Sequence, residues 1–131
     1  MPLYVEAGLD FGYWPSYPTP DHFHKGKDWK AVKTICWMRE AGTVVWAMGT
    51  GQLGNYVAIQ TDRDPDCYRG LAHLSEIWAM LGQHIRAGEY IGITGGVPGE
   101  SGAGLTDGPH LHEEEWRGYP FAAGSERVNP Y

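Results

Sequence analysis

Short apolar runs alternate with Gly- and Pro-rich punctuation along most of this chain. Thr43-Val44-Val45-Trp46-Ala47 is β-branched and aromatic, the composition strands prefer. Before it, Thr34 to Arg39 forms a short run and Glu40-Ala41-Gly42 a turn, so the pattern predicts a hairpin spanning both runs. Gly49 to Gly54 reads as a Gly-rich loop, and Asn55 to Thr61 as the next strand. Asp62-Arg63-Asp64-Pro65-Asp66 is a polar turn, followed by a strand from Cys67 to Leu74. Ser75 to His84 reads two ways. Ile77, Trp78, Met80 and Leu81 fit one helical turn, but Gly82 interrupts early. Glu89 to Thr94 is a further strand. Gly95 to Pro109 holds six Gly and two Pro in fifteen residues, a loop long enough to suggest a functional role. Residues 1–23 carry Pro15, Pro18 and Pro20 among aromatics, which forbids a central strand or helix there. They read as a lead-in segment wrapping a domain that runs from 24 to 131. The even spacing of short strands predicts a mainly β fold, a single domain of antiparallel sheet.

Composition narrows the class. A chain of 131 residues suits one domain and buries a core without disulfide staples. A formal net charge of -6 offers no basic footprint for nucleic acid or an anionic membrane. Cys36 and Cys67 are too few for a disulfide framework and read as strand residues with free thiols. No window reaches the roughly 18 apolar residues of a membrane helix. The first ten residues show no basic stretch followed by an apolar run, so no signal peptide is expected.

The candidate chemistry lies in six histidines. In His110-Leu111-His112, strand alternation sends both imidazoles to one face and Leu111 to the other. Two imidazoles on one rigid face suit zinc, or one ligand beside one proton-transfer group; two ordinary surface histidines would look the same. In His24-Lys25-Gly26-Lys27-Asp28, an imidazole and a carboxylate share a face of extended chain, and Gly26 lets the backbone bend so that they converge. A charged turn is the plainer alternative. His73 lies among apolar residues in Gly70-Leu71-Ala72-His73-Leu74-Ser75, a setting where histidine is commonly structural.

Taken in order, these elements resemble the lysostaphin-like zinc endopeptidases, which cut peptide bonds in bacterial cell walls. That family carries H-x-G-x-D, then A-H-L at a strand end, then G-P-H-L-H. Here stand His24-Lys25-Gly26-Lys27-Asp28, Ala72-His73-Leu74 and Gly108-Pro109-His110-Leu111-His112. Gly54-Asn55-Tyr56-Val57-Ala58-Ile59 and the stretch from Gly82 to Gly92 are also similar to the family's text. The resemblance implies a lysostaphin-type fold with an open groove. It implies Zn²⁺ held by His24, Asp28 and His112, with a water in the fourth position. His73 and His110 would serve proton transfer and oxyanion stabilisation without binding the metal. The partner would be a peptidoglycan stem or cross-bridge peptide, and the protein a monomer acting at the wall. With no attached wall-binding module, a phage endolysin, a tail-associated lysin or an excised domain fits. An inactive member that binds the wall or activates another hydrolase is the alternative, although such members typically lose ligands and this chain keeps all five residues.

Two positions depart from the family pattern. Leu71 replaces an aromatic, and Glu113 stands where Phe is usual, ahead of Glu114. Alternation sends Glu113 to the core side, so either that face is open or Glu113 has a partner such as an Arg. His22 reads as a groove-rim residue, His84 as a surface residue, and Glu113 to Glu115 as support and surface rather than a second metal site. The loop Gly95 to Asp107 should border the groove, where Gly backbone lets a peptide approach closely.

Overall fold

β-branched and aromatic residues fall in runs too short for helices here, and the backbone satisfies its polar groups in ladders. The computed structural model describes residues 6–131, and they contain no α-helix. The strands are β1 (Glu6–Ala7), β2 (Gly12–Tyr13), β3 (Phe23–His24), β4 (Lys27–Lys30), β5 (Ile35–Trp37), β6 (Gly42–Thr50) and β7 (Gly54–Thr61). They continue with β8 (Cys67–Ala72), β9 (Glu76–Ile77), β10 (His84–Ile85), β11 (Tyr90–Ile93), β12 (Leu111–Arg117) and β13 (Glu126–Val128). One large sheet runs β1-β4-β12-β8-β7-β6-β10, with β13 following β4 along the same edge of β12. A smaller sheet runs β5-β11-β9, and β2 pairs with β3; every pairing is antiparallel. The fold is thus mainly β and a single domain, as the strand spacing predicts.

Alternation along β7 explains how the large sheet buries both faces. Val57 and Ile59 pack with Val44, Leu71 and Leu111 against Cys36, Met38, Ile85 and Ile91. Tyr56 and Ala58 face the other way and cluster with Ala72, Val45, Trp46 and Leu53. The first face is the core. The second is a smaller cluster, with Phe121 packed on Tyr56 and Trp46.

Three expectations change. Thr34 to Arg39 and Thr43 to Ala47 do not form a hairpin. β5 pairs with β11 in the smaller sheet, while β6 pairs with β7 and β10. The physical reason is burial: with β5 on β11, Cys36 and Met38 are fully enclosed in the main core. The Gly49 to Gly54 stretch is only partly loop, because β6 runs to Thr50 before a 3-10 turn at Gly51–Leu53. Ser75 to His84 holds no helical turn. Its backbone is drawn to β11 instead, through Ser75 N to Ile93 O (2.9 Å) and Trp78 N to Ile91 O (2.9 Å).

Glu113 settles on the core side and is buried. It accepts hydrogen bonds from Trp29 Nε1 (3.0 Å), Arg39 Nε (3.1 Å), Arg69 Nη1 (3.0 Å) and the Tyr131 hydroxyl. The face is therefore closed and the carboxylate has partners, as its cost demands. Cys36 and Cys67 are free and buried. Of the lead-in, residues 1–5 lie outside the described residues. Its remainder is tied down by β1 on β4 and by the β2–β3 ribbon.

Candidate metal centre

Register brings the two distant motifs together. β4 and β12 pair with Asp28 opposite His112, and on its other side β12 pairs with β8, placing Ala72 opposite His112. β3 ends at His24, just before β4. Gly26 between them does more than permit a bend. A Cβ there would lie 2.7 Å from His112 Cε1 and overlap the Glu113 carbonyl oxygen, so the close approach of this turn to β12 needs glycine.

The donor atoms converge. Asp28 Oδ1 lies 2.9 Å from His112 Nδ1 and 3.2 Å from His24 Nε2, and these two nitrogens are 3.2 Å apart. Tetrahedral zinc with bonds of about 2.0–2.1 Å spaces its ligands roughly 3.3 Å apart, so this triangle has the size and chemistry of three zinc ligands. Among the described residues it is the one cluster of three or more such donors able to grip an ion.

The outer nitrogens are occupied in a way that frees the inner ones. His24 Nδ1 donates to the Asp10 carbonyl (2.9 Å), leaving Nε2 facing inward. His112 Nε2 donates to Glu114 Oε2 (3.0 Å), leaving Nδ1 facing inward. Without an ion, charge is shared within the cluster. Burial works to lower the His112 pKa, but hydrogen bonds to Asp28 and Glu114 outweigh it and hold it at about 9. Burial alone would raise Asp28, yet hydrogen bonds from His112 and His24 keep its carboxyl well below the ordinary range.

His73 and His110 flank this triangle. Their rings are 4.9 Å apart, and His73 is 5.8 Å from the His112 ring. His110 Nδ1 donates to the Gly108 carbonyl (2.8 Å), and its Nε2 lies 3.7 Å from Asp28 Oδ1. His73 Nδ1 donates to the Ala103 carbonyl (2.6 Å). Burial pushes His73 down to about 4, so it stands neutral at physiological pH with Nε2 as acceptor. Its φ of 61° is a left-handed conformation that costs a non-glycine residue energy. The loop that orients it is keyed to the β6–β7 turn. Asn55 N donates to the Gly102 carbonyl (2.7 Å) and Leu105 N to the Gln52 carbonyl (2.8 Å). A Cβ at Gly104 would crowd Gly54 N and Gln52.

Thus the structure brings His24, Asp28, His112, His73 and His110 to one place. His22 is turned away, bonding the Tyr17 carbonyl through Nδ1 (2.7 Å), and His84 is exposed beside Asp62 (2.7 Å). Sequence reasoning gave no individual role to Tyr17, Arg127 or the fully buried Glu114. They line a pocket of about 450 Å³ beside His112, with Lys25, Gln52 and Phe23. Two positions beyond His112 on one strand, Glu114 shares its face, whereas nothing in sequence marks Tyr17 or Arg127.

The fold has counterparts among known proteins. The model of peptidase family M23 matches residues 22–130. The catalytic domain of the antimicrobial peptidase lysostaphin from Staphylococcus simulans superposes with a TM-score of 0.81 at 22% identity, covering 95% of this chain and 88% of that one. A catalytic-domain variant of the prophage-encoded M23 protein EnpA from Enterococcus faecalis reaches 0.79 at 28% identity, again with 95% and 88% covered. A zinc-containing peptidase from Vibrio cholerae reaches 0.71 at 23% identity, covering 86% of this chain but 33% of the other. The first and third likenesses are likenesses of fold.

Proposed function

This chain belongs to peptidase family M23, and from that premise we propose that it is a zinc-dependent endopeptidase cutting peptide bonds of bacterial peptidoglycan. The observation that carries the reading is the convergence of His24, Asp28 and His112, whose ligand atoms all lie within 4.8 Å of one another, beside two further imidazoles. His24 Nε2, Asp28 and His112 Nδ1 would hold the ion. When bound, zinc supplies a Lewis acid that activates water and polarises the scissile carbonyl.

The chain's own residues do the rest. His73 and His110 each have Nδ1–H committed to a backbone carbonyl, so each presents Nε2 to the groove. A neutral imidazole there takes a proton from the attacking water, and the resulting imidazolium stabilises the oxyanion or protonates the leaving amine. The two histidines share these duties. We infer that the Gly95 to Asp107 loop, keyed to the β6–β7 turn, borders the groove that takes an extended peptide. We infer a monomer working at the wall in a phage setting, a reading supported by the likeness to a prophage-encoded protein.

Digestion of purified walls of several bacterial chemotypes, with mass spectrometry of the new amino termini, tests substrate and bond together. His112→Ala is expected to lose both zinc and activity. His110→Ala is expected to keep zinc yet lose about 10²–10⁴-fold in turnover. Retained activity in either variant counts against the assignment, and intact walls in every chemotype count against peptidoglycan as substrate.

A further inference from the structure

Glu114 is fully buried on the groove face of β12, where a carboxylate is costly unless its lone pairs are met. Four donors meet them, two on each oxygen. Oε1 accepts from the Tyr56 hydroxyl (3.0 Å) and Trp116 Nε1 (3.2 Å). Oε2 accepts from His112 Nε2 (3.0 Å) and Arg127 Nη1 (3.0 Å). The surroundings are shaped for this. A Cβ at Gly70 on β8 would overlap the Tyr56 hydroxyl, and Arg127 on β13 lies over the Trp116 ring at 5.0 Å. Four strands thus converge on one carboxylate that touches a residue of the metal triangle.

We propose that Glu114 is a positioning residue for the metal centre. By accepting the Nε2 proton of His112 it fixes the imidazole plane and tautomer, so that Nδ1 is the nitrogen offered beside Asp28 and His24. The inference rests on the zinc reading above. An amide at position 114 would still offer an oxygen to His112 and Arg127, because the Tyr56 hydroxyl can accept from its NH₂ and Trp116 Nε1 already lies 3.0 Å from that hydroxyl. A side chain with no acceptor leaves nothing to hold the proton on Nε2, and frees it to sit on Nδ1, the nitrogen the metal needs.

The test uses purified protein and zinc ion. Zinc affinity is measured by competition with a chromogenic chelator for the parent, Glu114→Leu and Tyr56→Phe, alongside metal-free melting temperatures. Glu114→Leu, which removes the acceptor, is expected to weaken zinc about 10–100-fold. Tyr56→Phe removes a donor from the other oxygen, so it lowers the melting temperature while leaving affinity within about threefold of the parent. That split separates positioning from general support of the fold. Equal zinc affinity in Glu114→Leu and the parent overturns the inference alone. A parent that binds no zinc overturns the zinc reading with it. Should Glu114→Leu fail to fold, nitrogen-15 spectra of the zinc-loaded parent decide. They are expected to show His112 protonated at Nε2 and metal-bound at Nδ1, and the opposite tautomer overturns the proposal.

Discussion

His73 sits at φ 61°, a conformation that costs a residue with a Cβ on the order of 1–3 kcal/mol. Its surroundings enforce it. His73 N donates to the Leu53 carbonyl (2.8 Å) while the ring is drawn to Ala103, so backbone and side chain are pinned from two loops. The same enclosure keeps the ring neutral, with burial lowering it from the ordinary 6.5 to about 4. Between those values the unfolded chain binds a proton that the folded chain refuses. Stability from this group is therefore complete above the unfolded value and is lost as pH falls toward about 4. His73→Asn keeps a donor for Ala103 and tolerates the left-handed backbone, but does not titrate. The melting temperature of the metal-free parent is expected to fall more steeply from pH 6.5 to 4 than that of the variant. Parallel acid profiles would show that His73 is not held neutral.

At the scale of elements, the design turns on β12. One edge of it serves two strands in succession, β4 opposite Leu111 to Glu113 and β13 opposite Glu115 to Arg117. The β3–β4 turn can press against it only because Gly26 lacks a side chain. Gly26→Ala drives a methyl group into backbone and the His112 ring, which at the usual cost of overpacking removes about 1–3 kcal/mol. The variant should melt lower and bind zinc more weakly, by thermal unfolding and chelator competition; no change in either would contradict the close approach. Much of this level was legible in the chain. The middle of β6 follows from β-branched and aromatic composition and β7 from alternation, and the strands at Cys67 to Leu74 and Glu89 to Thr94 are read between their turns. That His24, Asp28 and His112 meet was implied by the family resemblance, not by spacing. Partner choice was not legible, because it is non-local. Whether Ile35–Trp37 joins β6 or β11 depends on where Cys36 and Met38 find cover. The partners of Glu113 come from positions 29, 39, 69 and 131, which no local pattern connects.

For the molecule as a whole, the centre joins β3, β4 and β12 at the side of the sheet away from β6 and β10. A ligand that binds only the folded state stabilises it by mass action, about 4 kcal/mol when free zinc is about 1,000 times its Kd. Chelation should therefore lower the melting temperature by several degrees, and added zinc should restore it. Melting curves that ignore both chelator and zinc would contradict a tight site at this junction. The pairing of Asp28 with His112 spans 84 positions of chain. No fragment ending before His112, and no chain still being made to that point, owns a complete centre. The triangle of donors therefore exists only once strands from both ends of the chain have zipped together.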